Sequence, residues 1–271
     1  MWLHRPFRGQ EKLLIVLFFG DVVGKPGREL LVRKLAGLRA QHGADAVVAN
    51  GENATDGRGI KPDHAEALFR AGVDVITTGN HIWKQREIYR YLDENSRIIR
   101  PFNFLPANPG RGVTVIDTPA GRLGVINLEG SLYLEPARSA FEAVGEALDE
   151  LQGVRNVLVD LHAEATSEKV AMGHFLDGRV SAVVGTHTHV RTGDAHVLPR
   201  GTAYITDVGM CGPRDSVIGV KKDLVLERFI TQLPVRFEVA SGDPWLEAVV
   251  IEIGEDGRAV RIEPLEVSGD D

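Results

Sequence analysis

The sequence predicts an α/β protein with mainly parallel strands, and two features carry that expectation. Short apolar runs alternate along the chain with stretches of helical periodicity, the pattern of right-handed strand-helix-strand crossovers. Five of these runs end in amide, carboxylate or imidazole residues, and in open α/β sheets the carboxyl ends of the strands gather such groups along one edge.

Residues 13–19 form a continuous apolar run ending at Gly20-Asp21, which suits a strand buried on both faces. In residues 27–42, Leu31, Leu35 and Leu38 recur with helical spacing, and Gly43 is placed to end that helix. Residues 46–49 form a second strand ending at Asn50-Gly51-Glu52-Asn53. Residues 54–61, with Gly57 and Gly59, read as a loop, and Pro62 suits the first turn of a helix over 62–71. Residues 73–78 form a third strand, ending at Gly79-Asn80-His81. Residues 87–95 are expected to be helical, and 101–112, with three prolines, irregular. Residues 113–117 and 123–128 read as a hairpin. A helix over 136–151, with Phe141, Val144 and Leu148 on one stripe, leads to a strand at 156–160 and then His162. Ser167 starts a further helix that Gly178 ends. The strand at 180–184 runs into Gly185-Thr186-His187-Thr188-His189, the fifth polar terminus. A short strand at 203–206 precedes the Gly-rich turn Asp207-Val208-Gly209-Met210-Cys211-Gly212-Pro213, residues 222–232 are expected to be helical, and 237–267 form a second hairpin around residues 254–257. The hairpins add antiparallel strands or a second sheet.

With 271 residues, 43% of them hydrophobic, the chain is long enough for one large domain, residues 1–271, with 1–12 as an N-terminal extension. A formal charge of −7 argues against a general nucleic-acid or membrane-surface binder. The single cysteine, Cys211, excludes an internal disulfide and fits a reducing compartment, so a cytoplasmic location is expected. Arg5, Arg8 and Lys12 before the first apolar run resemble a signal peptide. Asp21, however, stands where a small-residue cleavage site would be needed, and no later run is long enough to cross a bilayer.

His187 and His189, at i and i+2, face one point if the backbone there is extended, and imidazole pairs of that kind suit zinc, iron or manganese. Alone, the pair reads as well as two surface histidines in a polar turn. Asp21, Glu52, Asn53, Asn80, His81 and His162 change that reading, because strand ends bring all eight residues to one edge. So polar a cluster needs compensation when buried, and a pair of divalent cations supplies it. Two ions bring four positive charges and Asp21 with Glu52 remove two, leaving a cationic site in an acidic protein, suited to a phosphate ester.

Gly20-Asp21, Gly51-Glu52-Asn53, Gly79-Asn80-His81, His162 and Gly185-Thr186-His187-Thr188-His189, in this order, resemble the signature of calcineurin-like metallophosphoesterases. Gly20-Asp21-Val22-Val23-Gly24, the block His162-Ala163-Glu164-Ala165-Thr166-Ser167-Glu168-Lys169, and Asp207-Val208-Gly209-Met210 resemble the YmdB-like bacterial phosphodiesterases more closely. The resemblance implies a calcineurin-like fold of two packed mixed sheets flanked by helices in α/β/β/α layers. It implies one metal held by Asp21, Glu52, Asn53 and His189, and a second by Glu52, Asn80, His162 and His187. Asp21-Val22-Val23 replaces the superfamily's Asp-x-His and Glu52 its bridging aspartate, which favours iron or manganese over zinc. The resemblance further implies hydrolysis of phosphodiesters by a metal-bridging hydroxide, with His81 as general acid or oxyanion stabiliser. Cyclic nucleotides of the 2',3'- or 3',5'-cAMP type are the leading substrates. RNA is an alternative substrate, and a regulatory nucleotide-binding protein with weak turnover is the alternative function. A homo-oligomer is the expected assembly. Glu164 and Asp207 either orient histidine ligands or cap locally, and Arg58, Lys61 and Lys84 either steer phosphate or are solvated loop charges.

Overall fold

The computed structural model describes residues 13–269. In chain order the elements begin with β1 (Leu14–Phe19), β2 (Asp21–Val22), α1 (Gly24–His42), β3 (Ala46–Asn50), α2 (Pro62–Ala71), β4 (Val75–Thr77) and, after a short 3-10 turn (Ile82–Lys84), α3 (Ile88–Glu94). The middle of the chain folds as β5 (Val113–Thr118), β6 (Gly121–Glu129), α4 (Ala140–Glu150), β7 (Asn156–His162), α5 (Thr166–Leu176) and β8 (Ala182–Thr186). It closes with β9 (His196–Val197), β10 (Ala203–Ile205), β11 (Met210–Pro213), α6 (Lys222–Thr231), β12 (Pro244–Ile253) and β13 (Ala259–Ser268).

Two sheets result. The first runs β2-β11-β12-β1-β3-β4, with β13 along the other edge of β12, and the second runs β5-β6-β7-β8-β10-β9. The pairs β1/β3 and β3/β4 are parallel, as are β6/β7, β7/β8 and β8/β10. The predicted hairpins β5/β6 and β12/β13 are antiparallel, one in each sheet.

Side-chain alternation explains the layering, because successive residues of a strand face opposite sides. Leu14, Val16 and Phe18 of β1 point inward with Val48, Leu158, Val184 and Ile205, sealing the two sheets face to face. Leu17 and Phe19 point the other way, onto Leu30, Leu31 and Leu35 of α1 and Leu68 of α2. Ile126, Leu128 and Val159 of the second sheet pack on Val144 of α4 and Met172 of α5. The order of layers is α/β/β/α, as expected. No helix among the described residues is long and apolar enough to cross a membrane.

Several boundaries differ from the sequence expectation. The helix expected over 136–151 begins only at Ala140, where the Ser139 hydroxyl accepts a hydrogen bond from the Phe141 amide and caps it. The strand expected to stop at 160 continues through His162, paired with Glu129 and Thr186 on either side. The N-terminal extension at 1–12 lies outside the described residues.

Candidate metal centre

Polar strand ends from both sheets meet at one edge, and all eight residues singled out in the sequence are there. Asp21 stands in β2, Glu52 and Asn53 just beyond β3, Asn80 and His81 beyond β4, His162 at the end of β7, and His187 and His189 beyond β8. Asp21, Glu52, Asn53 and His162 are buried. The approach is close enough that Gly79 must be glycine: a Cβ there would lie 2.2 Å from the His162 ring and 2.5 Å from the Glu52 carboxylate.

One expectation fails. His187 and His189 do not sit on extended backbone; their φ angles are +101° and +63°. The pair occupies a left-handed turn after β8, an uncommon conformation for residues other than glycine. Asp207 holds that turn, its carboxylate accepting from the Thr188 amide (3.2 Å), the Thr188 hydroxyl (2.8 Å) and the buried Lys169 ammonium (2.6 Å). The Asp21 carboxylate also accepts from the His187 amide, at 3.0 Å.

Each histidine has its outer nitrogen tied down. The Thr186 hydroxyl donates to Asp160 Oδ1 (2.8 Å), so toward His162 Nδ1, at 2.9 Å, it can only accept, and His162 carries a proton on Nδ1. His187 Nε2 lies 3.1 Å from Glu164 Oε2, and His189 Nδ1 donates to the Ile218 carbonyl at 2.8 Å. As neutral rings, all three present the lone pairs of their inner nitrogens to the centre, the arrangement that hydrogen-bonded neighbours impose on metal-binding imidazoles. His162 Nε2 faces His187 Nδ1 at 3.0 Å, Asn80 Oδ1 at 3.1 Å and Glu52 Oε1 at 3.1 Å. Four acceptor atoms thus crowd together, and only a cation or an added proton can reconcile them. Asp21 Oδ1 is likewise buried without a hydrogen-bond partner, 3.7 Å from His189 Nε2. Glu52, His162 and His187 bring their ligand atoms within 4.8 Å of one another. This donor set, oxygen and nitrogen without thiolate, fits a divalent cation of the manganese, iron or zinc kind.

The electrostatics reflect the same crowding. Burial alone would lower the His162 pKa, but Glu52, Asp21 and Asp160 push it up to about 9. Burial and then the charge on His162 hold His187 down at about 3. Burial raises Asp21; Glu52, which burial would also raise, is instead held well below the usual carboxylate range by His162 and His81. A second proton on His162 thus stands in for part of a cation's charge.

Asn53 is turned differently from a ligand. Its amide nitrogen, rather than its oxygen, points at Glu52 Oε1 (3.0 Å) and His189 Nε2 (3.1 Å), while Oδ1 faces His81 Nδ1 at 2.8 Å. Ligation through Oδ1 requires the amide to rotate. His81 also lines an apolar cavity of about 360 Å³ with His189, Arg58, Val220 and Phe237. Lys61 instead pairs with Glu87 at 3.8 Å, and Lys84 is exposed.

Sequence reading missed Asp160, Lys169 and Glu129. Asp160 is two residues before His162 on the same face of β7 and buried, and burial raises its pKa to about 6. That i, i+2 spacing was available as a signal. Glu129 ends β6 as Glu52 follows β3, and the same strand-end logic would have found it.

This layered fold is shared with a 5'-nucleotidase precursor of Thermus thermophilus at a TM-score of 0.57 and 13% identity, over 95% of this chain and 55% of that one. Fold and site together define a calcineurin-like metallophosphoesterase, a hydrolase. Within that class the chain belongs to the YmdB-like family, whose model, described as YmdB-like protein, matches residues 17–265. It is 44% identical to a 2',3'-cyclic-nucleotide 2'-phosphodiesterase of Bacillus subtilis (strain 168) over 94% of this chain and 97% of that protein. A novel phosphatase of Mycoplasma pneumoniae superimposes with a TM-score of 0.90 at 34% identity, covering 96% of this chain and 95% of that one. A hypothetical protein of Thermus thermophilus superimposes with a TM-score of 0.89 at 41% identity, covering 94% and 99%.

Proposed function

We propose that this chain is a two-metal phosphodiesterase acting on cyclic nucleotides, 2',3'-cyclic nucleotides first among them. The observation that carries the reading is the cluster of four acceptor atoms, His162 Nε2 with His187 Nδ1, Asn80 Oδ1 and Glu52 Oε1 about it, which calls for a cation among them. Asp21, Glu52, Asn53 and His189 would hold one ion and Glu52, Asn80, His162 and His187 the other, with iron or manganese preferred. When bound, such a pair supplies Lewis acidity toward phosphoryl oxygen and lowers the pKa of coordinated water toward neutrality. The substrate class is favoured by the Bacillus subtilis relative, named for that activity at 44% identity.

The residues then divide the work. Thr186, Glu164 and the Ile218 carbonyl hold the outer nitrogens of His162, His187 and His189, keeping their inner lone pairs inward. Once the Asn53 amide has rotated to ligate through Oδ1, its NH2 group would face His81 Nδ1, now 2.8 Å from Oδ1. Nδ1 would then accept, and the proton His81 delivers to the leaving oxygen would be the one on Nε2. The cavity beside His81 gives the leaving alcohol room. We assign residues 1–271 to this single domain, with 1–12 as an N-terminal extension, and place it in the cytoplasm as a homo-oligomer.

Hydrolysis of an aryl phosphodiester by iron- or manganese-reconstituted protein tests the reading. Glu52→Gln, folded and equally pure, is expected to lose metal and at least about a thousandfold in rate. A fully loaded wild type with no activity on aryl or cyclic substrates would leave a nucleotide-binding protein instead.

A further inference from the structure

A second cavity opens beside Asn80. It has a volume of about 500 Å³, and Trp83, Phe104, Tyr133 and Glu129 line it together with Asn80. Three aromatic rings stand in its walls, beside Leu105, Leu134, Asn108 and Glu135. Trp83 and Phe104 lie 5.9 Å apart, centroid to centroid, and tilted, and Tyr89 braces the indole edge-on at 5.5 Å. Tyr133 is 89% exposed and sits at a φ of +67° on the loop after β6, an apolar ring offered to solvent at the rim.

Glu129 is the unusual member. It is 2% exposed, and its Oε2 is buried without a hydrogen-bond partner. A buried carboxylate oxygen without a donor is costly unless something supplies one. The position of Glu129 is nonetheless fixed with care. The buried Asn103 side chain donates to the Glu129 carbonyl at 2.7 Å and accepts from its amide at 2.9 Å. The following loop is tied down by the Glu168 carboxylate, which accepts from the amides of Ser131 (2.8 Å) and Leu132 (3.3 Å). Glu129 also pairs in register with His162, one strand across from the candidate metal centre.

We propose that this cavity is a nucleobase subsite, and that Glu129 makes it selective for a base with adjacent N–H donors on its pairing edge, the guanine class. The aromatic walls take any planar heterocycle, because stacking is indifferent to base identity. The carboxylate is not indifferent, since in its ionised form it accepts only. Guanine offers N1–H and the 2-amino group side by side, whereas adenine offers one amino group beside an acceptor nitrogen that would face the carboxylate. With the phosphate at the metal centre and the base beside Glu129, Asn80 lies at the junction. The inference rests on the phosphodiesterase reading above, which brings a nucleotide to the site.

Binding of guanosine, inosine and adenosine to metal-reconstituted protein, by tryptophan fluorescence and calorimetry, tests it without turnover. Guanosine is expected to bind about tenfold or more tighter than adenosine, with inosine, which lacks the 2-amino group, between them. Glu129→Gln is expected to erase the preference, and Trp83→Ala to weaken all three nucleosides alike. Equal affinities in wild type, a preference that survives Glu129→Gln, or no binding of any nucleoside would each overturn the subsite. The wild-type comparison decides even if Glu129→Gln does not fold. Aryl phosphodiester hydrolysis by the same preparation separates the two readings: activity with indifferent nucleoside binding removes only the subsite, and guanosine preference without activity removes only the phosphodiesterase.

Discussion

The two sheets bring different chemistry to the seam between them. The first supplies carboxylates and amides, from Asp21, Glu52, Asn53 and Asn80, and the second supplies the imidazoles of His162, His187 and His189. Oxygen ligands carry their charge wherever they are placed. Imidazoles must also be held in one tautomer and one place. On the second-sheet side Thr186, donating to Asp160, sets the His162 tautomer, and Asp207, paired with Lys169, holds the turn that carries His187 and His189. Neither sheet holds a complete site. The first would give an acidic patch, the second a neutral histidine cluster.

The same contrast extends to the other buried charges of the two sides. On the second-sheet side Lys169 and Asp207 form a pair at 2.6 Å, their side chains 2% and 1% exposed. In the first sheet Glu247 of β12 is 3% exposed and pairs with Arg191 at 3.6 Å. Lys169→Met should break the stronger arrangement at a cost of about 3–5 kcal/mol in denaturant unfolding, because Asp207 would stay buried without its cation. Adding Asp207→Asn should recover part of that loss. A single variant as stable as wild type would show that the hydroxyl and amide donors to Asp207 suffice.

Glu247 should show the weaker compensation as a pH effect. Burial raises its pKa from 4.5 to about 7, against the pull of the Met210 amide and Arg191. Between those values the folded protein keeps a proton that the unfolded chain has released, so this group's contribution to stability falls as pH rises from 4.5 to 7. The decline should reach roughly 3 kcal/mol at most and vanish in Glu247→Gln. Unfolding curves for the two proteins that run parallel across this window would mean that Arg191 compensates Glu247 fully.

Thr186→Val sharpens the comparison with the smallest change. It removes the hydroxyl that accepts from His162 Nδ1 and leaves every proposed ligand in place. Metal affinity by chelator competition should fall about 10- to 100-fold. Affinity that does not move would mean that packing alone orients the His162 ring.

Much of this was legible before any coordinates. Strands β1, β3, β4, β7 and β8 announce themselves as apolar runs, and their polar ends predict the convergence of all eight residues, because parallel topology leaves those ends nowhere else to go. What escaped depends on partners distant in sequence. The strands β2, β9 and β11 are two to four residues long, too short for periodicity, and exist only through pairing. The left-handed turn at His187 and His189 is imposed by Asp207 and Asp21, and a spacing argument assuming extended backbone cannot see it. The Asn53 amide takes its orientation from His81, which the sequence places in the same cluster without fixing which atom faces which. Lys169 stands in a motif that resembles the family, yet only its burial against Asp207 reveals that it holds the turn.

The position of β1 has a consequence for how the chain comes to be folded. Its residues 14–19 pair with β3 on one side and with β12, residues 244–253, on the other. During synthesis from the N-terminus, β1 therefore waits with one edge unpaired until residues 244–253 have emerged. Such an edge is a template for pairing with other chains. A nascent chain stopped before residue 244 would lack the strand that closes its first sheet, although every proposed metal ligand would already have been made. The β12/β13 hairpin is thus what covers this edge of β1, and crowded ribosomes or a missing chaperone should harm the yield of folded protein more than its finished stability suggests.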